Sequence, residues 1–268
     1  MIPSKCEYKY LVPVERIDAL REALLPYTVL DPYAARTGQG EYTVRSVYLD
    51  TPDMAAYREK IEGVRARRKY RIRSYNQYDP EATAFLEIKR KEGSRVSKFR
   101  ARLALKDLPS LYSNGEGFGG TPQPAPQNVD ADGIGMFLGR CRMLRLRPVV
   151  LVVYEREPFL GRVQPSLRIT LDKNLRGAPA PLPSALFEDG VSFTAMRRHC
   201  TLEVKFEHGM PGWLREILFR FGLQRRALSK YTLCYDAITR TPGGLRASLP
   251  ASAGSGPAAV HEWLFPVH

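Results

Sequence analysis

Eight stretches of the chain are predicted to be β-strands, and in most of them apolar and polar residues alternate with the period of two that is typical of a strand. The stretches are rich in valine, isoleucine, tyrosine and phenylalanine, and turn-forming residues bound them. The predicted strands are residues 5–12, 41–50, 66–76, 84–91, 95–106, 147–157, 166–172 and 198–208. A protein built around a β-sheet is therefore expected.

Three stretches have the spacing of apolar residues that predicts an amphipathic helix. The first is Val14–Leu25, which carries Ile17, Leu20 and Leu24. The second is Met54–Ile61, which follows a Thr-Pro-Asp sequence suited to starting a helix. The third is Trp213–Phe221, between a proline and a glycine. Helices are therefore expected to flank the sheet.

Two segments have the composition of irregular structure. Residues 113–131 are rich in glycine, proline and asparagine and are predicted to form a long loop. Residues 241–268 are rich in glycine, alanine, serine and proline and are predicted to be a flexible tail. Strands on either side of the loop carry the same charge pattern, which favours a single domain over residues 1–240.

The polar positions of these strands are filled mainly by charged residues. Lys69, Arg71 and Arg73 share one face of their strand, and Tyr70 and Ile72 share the other. The same alternation places further charges on one face of other strands: Glu7 with Lys9, Glu87 with Lys89, Lys98 with Arg100, Arg168 with Asp172, and Glu203 with Lys205. For a single strand, the simplest interpretation is a solvated face. Repetition over so many strands indicates one common charged surface.

Charge composition points to a polyanionic ligand for that surface. The chain has 41 Lys and Arg against 28 Asp and Glu, a formal charge of +13, and such an excess favours nucleic acid, an anionic membrane or polyphosphate. Like charges on neighbouring strands repel unless an anion neutralises them. If the sheet closes on this face, its interior suits a chain of phosphates, because guanidinium groups bind phosphate oxygens bidentately.

Other features narrow the range of functions. The four cysteines are far apart and do not have the spacing of a zinc site or a disulfide framework. An N-terminal leader and a long apolar run are not evident, so a cytoplasmic protein is expected. The pattern G-x-G-x-x-G at Gly115–Gly120 lacks the strand and helix that a dinucleotide site requires. Tyrosines among the cations could serve nucleic-acid binding, but burial of Tyr70 is the simpler account, and no nucleic acid is expected.

The chain resembles the VTC-type polyphosphate polymerase domain, a family of the triphosphate tunnel metalloenzymes related to the CYTH phosphatases. Segments that carry the resemblance, in the order usual for the family, are CEYKY, RSVYLDT, RRKYRIRSY, FLEIKRK, SKFRARL, VVYEREPF, LRITLDKNL, LEVKF and LSKY. They extend from about Lys5 to Asp236. The resemblance implies an α+β fold, in which an eight-stranded antiparallel β-barrel tunnel with flanking helices binds a nucleoside triphosphate and passes polyphosphate through.

The resemblance also implies roles for individual residues. Its catalytic set is Lys9, Arg71, Arg73, Lys89, Arg156, Arg168 and Glu203. Its substrate-binding set is Lys60, Lys98, Arg100, Lys205, Ser229 and Lys230. The implied metal ligand is Glu203, helped by Glu7 and Glu87, and the implied cofactor is Mn²⁺ or Mg²⁺. Ala227 stands where some members have lysine, and Arg225 or Arg226 could compensate.

The expected activity is transfer of the γ-phosphoryl group of ATP to a growing polyphosphate chain. A terminal phosphate of that chain would be the nucleophile, so a nucleophilic side chain is not required. Two alternatives stay open: a tripolyphosphatase or nucleoside triphosphatase of the same fold, and a polyphosphate-binding module without activity. A separate membrane protein could receive the product.

Overall fold

The computed structural model describes residues 6–93, 95–112, 117–118, 130–180, 182–187, 192–207 and 209–240. Within them lie ten strands: β1 Cys6–Pro13, β2 Thr28–Leu30, β3 Tyr42–Asp50, β4 Ala66–Tyr75, β5 Thr83–Glu92, β6 Arg95–Ala104, β7 Arg147–Gly161, β8 Arg168–Pro179, β9 Phe193–Thr194 and β10 His199–Phe206. The α-helices are α1 Ile17–Leu24, α2 Pro32–Ala35, α3 Ala55–Ile61, α4 Ala131–Met143, α5 Gly212–Arg220 and α6 Lys230–Arg240. Short 3-10 helices cover Val14–Arg16, Leu25–Tyr27, Leu105–Leu111 and Pro183–Phe187.

All eight predicted strands are present, and every pairing between strands is antiparallel. The main path through the sheet is β1-β10-β8-β7-β3-β4-β5-β6, with the short strands β2 and β9 added at its side. Across the described residues the ladder ends at β1 and β6, which do not pair with each other. The sheet nevertheless curls, since Lys89 Nζ in β5 lies 3.1 Å from a Glu7 carboxylate oxygen in β1. The predicted tunnel fold is confirmed as a curled half-barrel with flanking helices.

The outer face of the sheet is apolar and is covered by helices. Tyr70 and Ile72 of β4 are buried in a cluster with Phe137 and Leu138 of α4. A second cluster joins β1, β8 and β10 to α1 and α5. Burial of these side chains stabilises the fold at about 25 cal/mol per Å² of apolar surface, and it leaves the charged faces of the strands turned inward.

Helix α6 packs against the inner side of the sheet, where it closes part of the half-barrel. Its residues Tyr231, Cys234 and Ile238 are buried together with Val150 and Val152 of β7. A Cβ at Gly177 in β8 would lie 2.6 Å from Cys234 Cβ, so only glycine allows this close approach. The residues that begin α6 are thereby held inside the curl.

The predicted helices correspond to α1 with its 3-10 turn, to α3 and to α5. α3 begins one residue later than expected because Met54 has a left-handed conformation, with φ of 60°. Thr51 Oγ1 accepts a hydrogen bond from the Ala55 amide at 2.8 Å, and the Asp50 carboxylate accepts those of the next two residues. α4 was not predicted from the sequence pattern, because its glycines dilute the apolar periodicity.

Several expectations fall on residues outside the described ones. These include most of the loop at 113–131, of which only residues 117, 118, 130 and 131 are described, and all of the tail at 241–268. The strands on both sides of that loop pair in one sheet, while the domain bounds stay a prediction. Within the described residues, none of the helices has the length and apolarity needed to cross a membrane.

Candidate functional site

The inward faces of the strands converge on a cavity of about 90 Å³. We call its lining the central cluster: Glu7, Lys9, Tyr48, Lys69, Arg71, Arg73, Lys89, Tyr154, Arg156, Glu203, Lys205, Ser229 and Lys230. Eight of these side chains are basic and two are acidic. Ten of the predicted site residues lie in it, contributed by β1, β4, β5, β7, β10 and the start of α6. The structure thus brings together residues that are more than two hundred positions apart in the chain.

Glu203 of β10 is the most heavily contacted carboxylate of the central cluster. Its oxygens lie 2.7 Å from Lys230 Nζ and 3.2 Å from Lys9 Nζ, and Arg156 approaches to 3.5 Å. Burial alone would raise the pKa of Glu203, but the cations, led by Lys230 and Lys9, hold it well below its usual value. Glu203 is therefore a buried, ionised carboxylate at the centre of the site.

Asp172 of β8 lies beneath the central cluster and anchors two of its cations. Its carboxylate accepts two hydrogen bonds from Arg156, at 2.6 and 2.7 Å, and Lys230 Nζ lies 2.6 Å away. The Asp172 side chain is fully buried. The alternation of its strand predicts that Asp172 shares a face with Arg168, but a role in the site was not predicted. Its position fixes the head groups of Arg156 and Lys230 before any ligand arrives.

Glu7 of β1 is the second acidic residue of the central cluster. It forms ion pairs with Lys89 at 3.1 Å, with Lys9 at 3.4 Å and with Lys205 at 3.8 Å. Burial opposes its ionisation, but these lysines, first of all Lys9, lower the pKa of Glu7 to about 2. Glu7 and Glu203 share Lys9 and Lys205 as partners, so the two carboxylates are close neighbours.

Glu87 of β5 lies next to the central cluster and is fully occupied by cations. Arg71 and Arg100 approach it to 2.5 Å, and Lys98 approaches it to 2.6 Å. Burial opposes its ionisation, but the adjacent cations, led by Arg71, lower the pKa of Glu87. Since its oxygens are already used by three side chains, this geometry suits an anchor for Arg71 better than a metal ligand. The ligand role stays a prediction that the structure does not test.

Two cations of the central cluster make no ion pair with a carboxylate of the described residues. Lys69 Nζ donates to Ser229 Oγ at 2.5 Å, and Arg73 donates to Ser46 Oγ at 3.0 Å and to Tyr154 Oη at 3.4 Å. Burial and the nearby lysines Lys9 and Lys89 lower the pKa of Lys69 well below its usual value. Unneutralised buried cations are costly, and an anionic ligand would remove that cost.

A larger cavity of about 640 Å³ adjoins the central cluster. We call its lining the vestibule: Cys6, Glu7, Tyr8, Lys9, Lys60, Arg67, Lys69, Lys89, Lys91, Gly93, Val96, Arg225, Arg226, Ala227 and Leu228. The predicted residue Lys60 is placed here by α3. The segment before α6 is held by a hydrogen bond from the Arg226 amide to the Lys9 carbonyl at 2.8 Å. Arg225 and Arg226 therefore stand where they can supply the charge that Ala227 lacks.

Four predicted site residues lie outside both linings, and one of them is Glu87, described above. Lys98 and Arg100 are on the inward face of β6, bound to Glu87. Arg168 lies at the β8 end nearest Tyr42, 3.4 Å from Tyr42 Oη and 3.4 Å from Asp31. Four further residues lie in or against the site without having been predicted as members of it: Lys69, Tyr48, Tyr154 and Asp172. The alternation of β4 could have identified Lys69, whereas the two tyrosines sit in apolar strands and gave no signal.

Two lysines beside the carboxylates of the site have a pKa lowered to about 8. Burial lowers the pKa of Lys205 and of Lys98 to about 8, although Glu203 and Glu7 oppose the shift at Lys205 and Glu87 opposes it at Lys98. Each lysine is charged below this pKa and neutral above it. An anion bound beside them would restore the charged form and raise the pKa again.

Affinity for tripolyphosphate is therefore expected to fall as the pH rises from 7 to 9. For each lysine whose pKa returns to its ordinary value in the complex, the loss is about tenfold over this window. Isothermal titration calorimetry along a pH series checks this. Lys205→Arg, which stays charged, should flatten the profile. Affinity that does not change with pH would mean that these lysines do not contact the ligand.

Glu7 and Glu203 are the residues that could hold a divalent metal. Within the described residues there is no group of three or more His, Cys, Asp and Glu side chains, so the chain offers no cage made of protein ligands alone. Mg²⁺ and Mn²⁺ accept one or two carboxylates, with phosphate oxygens and waters completing the shell. Both carboxylates have a lowered pKa and are ionised, so the pair has the donor chemistry of such a site, and Lys9 and Lys230 contact Glu203 in this structure.

Comparison with known proteins gives a match to one family. A family model described as "VTC domain" matches residues 4–239. No curated protein matches the chain at a significant level.

Several solved structures are distantly similar. The PH1819 protein of Pyrococcus horikoshii OT3 has a TM-score of 0.44 and 13% identity, over 85% of this chain and 97% of that one. A Vibrio parahaemolyticus protein described as a candidate adenylate cyclase has a TM-score of 0.40 and 14% identity, over 86% of this chain and 97% of that one. The Mimivirus capping enzyme triphosphatase has a TM-score of 0.34 and 10% identity, over 82% of this chain and 88% of that one. These similarities are too distant to indicate a function.

Proposed function

The chain belongs to the VTC domain family, and from this premise we propose that it is a polyphosphate polymerase. It transfers the γ-phosphoryl group of ATP to a growing chain of inorganic polyphosphate. The observation that carries the proposal is the central cluster, where eight basic side chains and two carboxylates line one cavity. Such an interior is costly when empty and suits a ligand that carries negative charge on every unit.

The basic residues support two different tasks. Arg71, Arg156 and Lys230 are held in place by Glu87 and Asp172, so their donors are oriented before substrate arrives. Preorganised donors of this kind stabilise charge that develops on a transferred phosphoryl group. Lys69 and Arg73 have no carboxylate partner among the described residues, and they suit direct neutralisation of phosphate oxygens. Because the attacking group is a phosphate oxygen of the substrate, these two tasks are sufficient and the site needs no nucleophilic side chain.

The chemical step neither consumes nor releases a proton. A terminal phosphate oxygen of the polyphosphate attacks the γ-phosphorus of ATP, a new phosphoanhydride bond forms, and the bond between the β-γ bridging oxygen and the γ-phosphorus breaks. ADP leaves with the electron pair of that bond, so the total charge of substrates and products is equal. A Mn²⁺ or Mg²⁺ ion held by Glu203 and Glu7 would supply Lewis-acid stabilisation of the phosphate oxygens when bound. Side chains of the central cluster align the two chains and exclude water.

Product analysis tests the proposal. Purified protein is incubated with ATP, a short polyphosphate primer and Mn²⁺ or Mg²⁺, and the products are resolved by gel electrophoresis and nucleotide chromatography. We expect long-chain polyphosphate and an equal amount of ADP per added phosphate. At pH 8, a pH-stat should record no proton release, whereas hydrolysis of ATP releases one proton per turnover. Free phosphate with proton release and no polymer would instead establish a triphosphatase.

A binding module is the other outcome that this experiment separates. Retained affinity for polyphosphate without turnover in any metal would overturn the polymerase proposal. We place the reaction in the cytoplasm, with ATP and polyphosphate as its ligands and with a separate membrane protein as a possible recipient of the product.

A further inference from the structure

Four aromatic rings form a continuous group at one end of the curled sheet. Tyr33 of α2 packs on Tyr42 of β3 with ring centroids 5.0 Å apart, Tyr42 packs on Tyr75 of β4 at 5.6 Å, and Tyr75 packs on Phe85 of β5 at 5.8 Å. All three contacts are edge-to-face, so each covers one face of one ring, and none is a parallel stack that covers a face of both rings. Tyr33 is 45% exposed, so the group, which we call the aromatic rim, reaches the surface.

The aromatic rim and the vestibule lie at opposite ends of the same inward row. Along β4 the inward residues are, in order, Arg67, Lys69, Arg71, Arg73 and Tyr75. The first two line the vestibule and the next two line the central cluster. Arg67 and Tyr75 are eight residues apart, a span of roughly 26 Å at about 3.3 Å per residue. One end of the row is cationic, and the other is aromatic.

Unsatisfied polar atoms lie close to the aromatic rim. Arg168 of β8 reaches Tyr42 Oη with one terminal nitrogen, at 3.4 Å. Its Nε is buried and has no hydrogen-bond partner among the described residues, and neither has Thr170 Oγ1, two positions along the same inward face. Buried donors are satisfied in nearly all native structures. Two such atoms on the same inward face indicate a ligand with acceptor atoms.

We propose that the aromatic rim binds the nucleoside of ATP, so that the nucleotide lies along the inward row with its base on the rim and its phosphates in the central cluster. The base stacks against the faces of Tyr33 and Tyr75, and Arg168 binds the first phosphate. The Asp31 carboxylate, 3.4 Å from Arg168, accepts a hydrogen bond from a ribose hydroxyl. The vestibule then holds the polyphosphate chain, which has no base or sugar.

The chemistry of the two ends supports this orientation. A purine or pyrimidine gains about 1–3 kcal/mol from stacking on an aromatic side chain, and such stacking tolerates any base. The vestibule offers five lysines and three arginines but only one tyrosine, Tyr8, whose ring is covered by Arg225 at 3.9 Å. It suits bare phosphate. This inference rests on the proposed function only in taking a nucleoside triphosphate as the donor.

The test compares two ligands that differ only in the presence of a nucleoside. Dissociation constants for ATP and for tripolyphosphate are measured calorimetrically, without turnover, on Tyr33→Ala and Tyr33→Phe. Tyr33→Ala should weaken ATP binding about tenfold, within the range that base stacking supplies, and leave tripolyphosphate binding unchanged. Tyr33→Phe keeps the ring and should restore ATP affinity. GTP should behave as ATP does.

Lys91→Ala in the vestibule is the contrasting variant. It should weaken long polyphosphate and leave the preference between ATP and tripolyphosphate unaltered. Equal loss of both ligands in Tyr33→Ala, or no loss of either, would overturn the aromatic rim as the nucleoside site. So would a wild-type protein that binds tripolyphosphate but not ATP. Failure of the polymerase proposal is recorded separately, as absence of polymer from ATP, and leaves these affinities measurable.

Discussion

Replacing Glu203 with glutamine is expected to lower kcat for polymer formation by about two to three orders of magnitude. Glu203 is a buried carboxylate 2.7 Å from Lys230 and 3.2 Å from Lys9, and it is the main candidate for the metal. Glutamine has the same shape but no charge, so it binds Mn²⁺ or Mg²⁺ poorly. The metal concentration needed for half-maximal rate should rise in the same variant. Polymer formation at saturating ATP over a metal series measures both effects.

The affinity of Glu203→Gln for tripolyphosphate should not decrease along with kcat. Removing one negative charge from the central cluster makes the interior more positive, so the dissociation constant for tripolyphosphate measured without metal should stay equal or fall. Glu216→Gln, an equal change on the exposed surface of α5, serves as the control and should leave both quantities unaltered. Wild-type turnover in Glu203→Gln would show that the metal is not bound here. Lost tripolyphosphate binding would show a structural role instead.

Asp172→Asn is expected to destabilise the fold by about 3–5 kcal/mol, as is usual when one partner of a buried ion pair is removed. The Asp172 side chain is 0% exposed, while Arg156 and Lys230, its two partners, are only 10% and 8% exposed. Both cations would be left buried with Glu203 as their remaining carboxylate within 4 Å among the described residues. The urea midpoint of unfolding, followed by circular dichroism, measures the loss.

Tripolyphosphate should recover part of this stability. A ligand that binds only the folded state stabilises it by RT ln(1 + [L]/Kd), and its negative charge replaces the one that was lost. Asp132→Asn, an exposed change in the first turn of α4, should shift the midpoint by less than about 0.5 kcal/mol. If Asp172→Asn unfolds at the wild-type midpoint, Arg156 and Lys230 do not depend on Asp172 for their charge balance.

The alternation of side chains along a β-strand made much of the candidate site predictable. A β-strand turns alternate residues to opposite faces, so the order Lys69, Arg71, Arg73 in the chain is enough to place three cations on one surface. The burial of Tyr70 and Ile72 beneath α4 confirms the assignment of the other face. The charge excess then indicated a polyanion, because like charges on neighbouring strands repel. These steps depend only on local geometry.

The partners of each charge were not predictable in the same way. Glu87 was expected to help a metal, and the structure gives it three cations. Asp172 was not assigned, yet it holds Arg156 and Lys230. Which carboxylate meets which cation depends on the register of strands and on the insertion of α6, and neither is encoded by the residues near that carboxylate.

By itself the sequence determined the eight strands and their apolar and charged faces, and it led to the expectation of a polyanionic ligand, because the period, the composition and the alternation of side chains act over a few residues at a time. Tertiary structure decided that the charged faces curl toward one another, that α6 carries Lys230 into their centre, and that the aromatic rim and the vestibule stand at opposite ends. These features arise from contacts between residues far apart in the chain. The free energy of these contacts depends on the desolvation of the whole interior, so it cannot be inferred from any single segment of the sequence.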